Sequence, residues 1–203
     1  MTTETVVMRA LKSAFIFMVS LLLMVACATH EDPINRVVRE ITLCKKAGHS
    51  SAHPVLESKF TSLVRAVSRN TAPKGGVILC VTPDQQYPNA ESTTLPDDSG
   101  IPTTVVWIEH KLLLSLDEEG LRFAVAHEVA HYTTRLGCPT DELRYYTFCE
   151  HTVDSAAAKI VGKSAALHGL EQLARSMLQR NAPPIPIASV RERIALLKKR
   201  NVD

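Results

Sequence analysis

His127 and His131 stand four residues apart with Glu128 directly after the first, in the run LRFAVAHEVAHYTTRLG, and no other feature of this 203-residue chain limits its folding so sharply. Four residues on an α-helix turn through about 400°, so both imidazoles leave one face within reach of a single metal ion. Glu128 lies about 100° round the helix from His127, close enough to take a proton from water at that metal without being a ligand. A catalytic zinc takes a third protein ligand and leaves a fourth position open. The helix must therefore pack against another element that carries a further ligand. Without a metal, the same run reads as an amphipathic helix with incidental histidines.

Glu150 and Asp154 are also four apart, in CEHTVDSAAAKIVG, and so share one face of a second helix. Glu150 completes a two-histidine, one-carboxylate set. Asp154, one turn on, is placed to accept a hydrogen bond from the non-ligating nitrogen of a zinc histidine, His127 first among them, which fixes the tautomer of the ring. Ala156, Ala157 and Ala158 let this helix lie close against the first. Alone, the two carboxylates read as a solvated helix face; beside HEVAH they point to one zinc ion per chain.

Elsewhere the apolar periodicity predicts helices over 33–47 and 54–70, and over 116–136 with Ser115 and Glu118 as a capping box and Gly137 as the stop. The Glu150 helix is expected to stop at Gly162. A helix with Leu167, Leu170, Leu173 and Met177 as a core stripe follows, and SVRERIALLKKR closes the chain after the break NAPPIPI. Two β-rich runs, 76–82 and 103–109, are expected to pair as a small sheet, with the four-proline stretch between them as a loop beside the cleft. The fold class is α+β, mainly helical, with one domain over 27–203. The strand at 103–109 could present an edge to an extended peptide, or be fully paired with Trp107 in the core.

Arg9 and Lys12 precede an apolar stretch, Ala14 to Ala26. It is shorter than the roughly 20 residues that span a bilayer, so residues 1–26 read as a secretory signal. MVAC, Met24 to Cys27, resembles a bacterial lipobox in which Cys27 becomes the lipidated N-terminus, anchoring the chain to a membrane. Ala28 after it favours the outer over the inner membrane. Besides Cys27 there are Cys44, Cys80, Cys138 and Cys149. In an oxidising compartment these imply two disulfides with three connectivities open; Cys138 and Cys149 flank the segment between the two ligand helices, which favours Cys138 with Cys149 and Cys44 with Cys80. None has CxxC spacing. The net charge of +2 is spread along the chain, with no footprint for nucleic acid.

AVAHEVAH (124–131) and EHTVDSAAAKIVG (150–162) resemble the HtpX-, BepA- and LoiP-like zinc metallopeptidases, gluzincins with a HExxH helix and a later glutamate helix. The segments PNAE and VVWIEHKLLLSLDEEG add to the likeness, which covers roughly residues 75–200. Eighteen residues separate His131 from Glu150, with no hydrophobic segment such as the integral-membrane members carry. Near the C-terminus the family usually has a histidine–proline pair before an RI helix. Here Ala182 stands at the place read as the histidine's, followed later by Arg193 and Ile194.

The resemblance implies a gluzincin-like domain with His127, His131 and Glu150 on zinc, Glu128 as general base and Asp154 orienting a ligand. It further implies a zinc endopeptidase of the bacterial cell envelope, facing the periplasm, whose substrates are unfolded or misassembled envelope proteins. Arg191, Arg193, His151, Tyr145 and Tyr146 are candidates to stabilise the transition state in place of the missing histidine. The rival expectation is a non-catalytic or gated envelope lipoprotein, held together by zinc and acting as a chaperone or assembly adaptor.

Overall fold

The computed structural model describes residues 33–46, 51–55, 62–64, 66–67, 74–138 and 143–200. The expected signal over 1–26, and Cys27, lie outside the described residues. The chain divides into two compact units, Met1–Val38 and Arg39–Asp203. Of the first, only the opening of helix α1 (Pro33–Lys46) is described. Everything below concerns the second.

Its sheet has four strands, β1 (His53–Pro54), β2 (Val77–Thr82), β3 (Ala90–Pro96) and β4 (Pro102–Glu109), in the order β1-β2-β4-β3. β2 and β4 do pair, in parallel, from Val77↔Thr104 to Thr82↔Glu109. The stretch expected to be a loop, 83–102, instead contains β3, antiparallel to β4 from Ala90↔Ile108 to Pro96↔Pro102. A short connection returns the chain, because Asp97 Oδ1 accepts from the amides of Ser99 and Ile101, both at 2.9 Å, and Gly100 takes a positive φ of 75°. With a partner on each side, β4 is an inner strand with Trp107 in a core, the second of the two readings of 103–109, and among the described residues β3 takes the edge. β1 also differs from expectation. Pro54 does not start a helix but pairs with Cys80, and helix is described only within 62–64 and 66–67.

Alternation along β4 sends its side chains to two cores. Val105 and Trp107 pack with Leu43, Cys44, Ala52, Ile78 and Cys80 on one face. The Cys44–Cys80 disulfide staples this layer, and the Trp107 indole donates to the Cys44 carbonyl at 3.0 Å. Val106 and Ile108 face the helices on the other side.

Those helices are α2 (His110–Ser115), α3 (Glu118–Thr134), α4 (Leu143–Val161), α5 (Lys163–Gln179) and α6 (Pro184–Lys199). Among the described residues no helix is long and apolar enough to cross a membrane. Ser115 is not the cap of α3; its hydroxyl donates to the Leu112 carbonyl inside α2, and Asp117 caps α3 by accepting from the Gly120 amide at 2.9 Å. The helix stops before Gly137, at Arg135, whose φ of 55° lies in the left-handed region. Gly162, with φ of 91°, separates α4 from α5. α6 begins earlier than expected because Pro184 opens its first turn, where a missing amide costs no hydrogen bond.

α3 is buried on nearly every side: Leu121, Phe123, Val125, Ala126, Val129 and Ala130 are all core residues, as expected of a helix enclosed by other elements. Against α5 it approaches so closely that a Cβ at Gly169 would sit 2.8 Å from the Cβ of Phe123. Gly169→Ala is therefore expected to destabilise the fold by about 1–3 kcal/mol, read as a lower urea midpoint; an unchanged midpoint would mean that Phe123 can yield.

Candidate metal centre

α3 and α4 bring three side chains to one point. His127 Nε2 lies 3.1 Å from Glu150 Oε2, and His131 Nε2 lies 3.8 Å from Glu150 Oε1. The two imidazoles meet edge to face with centroids 4.9 Å apart. Their outer nitrogens are both engaged. His127 Nδ1 sits 3.0 Å from Asp154 Oδ1, and His131 Nδ1 sits 2.8 Å from the Leu136 carbonyl oxygen. A carbonyl and a carboxylate can only accept, so each ring carries its hydrogen on Nδ1 and, when neutral, turns an Nε2 lone pair towards Glu150. Two imidazole lone pairs and a carboxylate repel one another unless a cation stands between them. The donor set thus fits a metal ion, and Glu128 stands beside the two imidazoles: ligand atoms of His127, Glu128 and His131 all lie within 4.8 Å of one another. His131, Cys138 and Glu150 also fall within that distance, but the sulfur of Cys138 is bonded to Cys149, so it offers no thiolate. Both disulfides are the pairs favoured from the sequence.

Asp154 has no exposed surface. Burial opposes its ionisation, but the Arg193 guanidinium outweighs it and holds the carboxyl well below the usual carboxylate range. Arg193 Nε donates to Oδ2 at 2.8 Å and Nη2 to Oδ1 at 2.7 Å, a two-pronged clamp, while Nη1 lies 3.2 Å from Glu150 Oε2. Burial likewise opposes ionisation of Glu150, and His127 with Arg193 reverses that, lowering its pKa. Burial lowers the pKa of His127, yet hydrogen bonds and charges from Asp154 and Glu150 prevail and push it up to about 10. In formal charge, Glu128, Glu150 and Asp154 carry three negatives against the one positive of Arg193. A dication with neutral histidines balances that count, and a proton on His127 answers part of it when no metal is present.

An adjoining cavity of about 140 Å³ has its polar end at His127, Glu128, Glu150, Tyr146 and Arg193. The remaining walls are mainly apolar: Leu112 and Leu116 after β4, Phe123 on α3, Leu173 and Met177 on α5, Val190 on α6. Two members of the stripe read as core, Leu173 and Met177, thus form part of its wall. Pro88, Asn89 and Ala90 stand at the entry to β3, and the Ser92 hydroxyl ties that strand to α3 by donating to the Glu128 carbonyl at 3.0 Å.

Of the residues considered for transition-state stabilisation, Tyr146 and Arg193 line this cavity, and Tyr145, His151 and Arg191 do not. Arg193 binds Asp154 and Glu150, which no spacing in the sequence announced. The orienting carbonyl of Leu136 was equally invisible, because any residue supplies one. Ala182 is buried where α5 passes to α6 and is not a wall residue. A scan against protein-family models, a search of curated proteins and a search of solved structures each found no match.

Two outcomes are expected. Asp154→Asn should weaken metal binding by about 10–100-fold, measured by competition with a chromogenic chelator. In the metal-free protein the folded-state pKa of His127, about 10, exceeds the ordinary 6.5. Its contribution to stability is therefore complete below 6.5 and lost as pH rises through about 10. Thermal midpoints of the metal-free protein should fall across that window, while metal affinity, which requires the proton to leave, should rise.

Proposed function

We propose that this protein is a zinc-dependent endopeptidase of the bacterial cell envelope that hydrolyses peptide bonds in unfolded or misassembled proteins. The observation that carries the reading is the convergence of His127, His131 and Glu150 with Glu128 beside it, where His127, Glu128 and Glu150 line a cavity whose other walls are mainly apolar. A structural site has no need of a carboxylate placed next to its ligands, whereas hydrolysis needs a base there.

A zinc ion at this point supplies Lewis acidity, which polarises a carbonyl and acidifies water. Glu128 accepts the proton of the attacking water and returns it to the leaving amine. Glu150, His127 and His131 hold the ion, and Asp154 with the Leu136 carbonyl keeps both rings turned inward. Among the described residues β3 has a sheet neighbour on one side only, and its first residue, Ala90, lines the cavity, so an extended chain added along that edge would run into the centre. A peptidase that takes its substrate as a strand requires it unfolded. Two disulfides support an oxidising compartment, and a lipid on Cys27 would hold the domain at the outer membrane, facing the periplasm.

The test is hydrolysis of a reduced, carboxymethylated protein by wild type and by Glu128→Gln, with products read by mass spectrometry and metal quantified in both. Wild type is expected to cut. The variant should retain its metal and lose at least about 10²-fold in rate, the scale of a general base. Metal in both with no cleavage by either would reject the peptidase in favour of the zinc-stabilised adaptor.

A further inference from the structure

If the centre is hydrolytic, as proposed above, the tetrahedral oxyanion formed at the scissile carbonyl needs a hydrogen-bond donor from the protein. Arg193 lines the cavity, but it clamps Asp154 and reaches Glu150; turning it towards a substrate would break both of its hydrogen bonds to a fully buried carboxylate and leave that carboxylate with His127 alone. Arg191 is exposed, and Tyr145 is half exposed; neither lines the cavity. His151 has its Nδ1 buried without a partner and does not line the cavity either. Tyr146 differs from all of these. It lies one turn before Glu150 on α4, on the same face, and lines the cavity together with His127, Glu128 and Glu150. Its hydroxyl makes no hydrogen bond among the described residues. Burial, followed by the charge of Glu150, raises the pKa of the phenol, and Glu128 acts in the same direction. A phenol carries its proton at neutral pH, so Tyr146 offers the cavity a hydrogen-bond donor beside both carboxylates.

We propose that Tyr146 is the catalytic residue that donates a hydrogen bond to the oxyanion of the tetrahedral transition state. No proton is transferred and no bond to Tyr146 forms. Tyr146 lines the cavity where the carbonyl would lie; as water adds to the carbonyl, charge grows on the oxygen and a hydrogen bond from the phenol strengthens with it. Such differential binding lowers the barrier without tightening the substrate complex.

The experiment compares wild type, Tyr146→Phe and Glu128→Gln on a fluorescence-quenched peptide chosen from the cleavage products, with metal content and thermal midpoint recorded for each. Tyr146→Phe removes one oxygen and keeps the ring. The expected result is a loss of about 10²–10³-fold in kcat, with KM, metal content and thermal midpoint unchanged. Affinity for a phosphinic peptide, whose tetrahedral centre mimics the transition state, should fall by a similar factor. A kcat within about threefold of wild type, or a loss of kcat that accompanies lost metal or a lowered midpoint, overturns the role of Tyr146 while the peptidase stands. If wild type cuts nothing, both fall together.

Discussion

Asp154 lies in a site with no solvent, where an unpaired carboxylate is strongly unfavourable. Arg193 offsets that cost with two hydrogen bonds of 2.8 and 2.7 Å, and the carboxylate so stabilised holds the His127 ring at 3.0 Å. One ionic contact thereby joins α6, α4 and α3 and sets the direction in which a ligand nitrogen points. Removing either partner would leave a buried charge short of its main counter-charge, Asp154 with His127 only or Arg193 with Glu150 only, which typically costs more than the pair itself contributes. Glu150 shares the same guanidinium, so the candidate third ligand and the group that orients His127 answer to one residue.

The sheet plays a complementary part. With β4 paired on both sides and its side chains divided between two cores, it gives α3 a rigid wall. α4 and α5 close the other side of that helix, leaving His127 and Glu128 as polar groups in an apolar setting. There each charge is less screened than in water. Gly169 permits the close approach of α5. The Cys138–Cys149 disulfide ties the segment after α3 to the residue before Glu150, restraining the connection between the two helices that carry the candidate ligands.

A buried network elsewhere holds the cavity rim. Glu109, fully buried at the end of β4, accepts from Arg180 at 2.6 Å, from the Leu112 amide at 3.0 Å and from the Gln85 amide at 3.2 Å. Arg180 also donates to the Gln85 carbonyl. The chain between β2 and β3 is thus anchored to the end of α5, which is a physical reason for β3 to begin beside the cavity.

Four-residue spacing was enough to place His127 with His131 and Glu150 with Asp154, because helix geometry turns sequence separation directly into a shared face. The same local logic located α4 and its end at Gly162, and the two long β-runs with their strong β-branched character. It failed at β3, whose AESTTLP is half-exposed, polar and bounded by prolines, so that only its pairing with β4 makes it a strand. It failed also at the cap of α3, where Ser115 had a nearer partner within α2. Interactions between distant elements left no local trace, as with Arg193 on Asp154 and the stripe residues Leu173 and Met177 lining a cavity; the Leu136 carbonyl on His131 is only five residues away, but any residue supplies a carbonyl. The sequence by itself determined which residues could act as ligands and base, since that depends on side-chain chemistry and helical period. Only the tertiary structure decided which nitrogen of His127 faces inward, which arginine serves as a clamp and which strand forms the edge, because each follows from packing and hydrogen bonding between elements far apart in the chain.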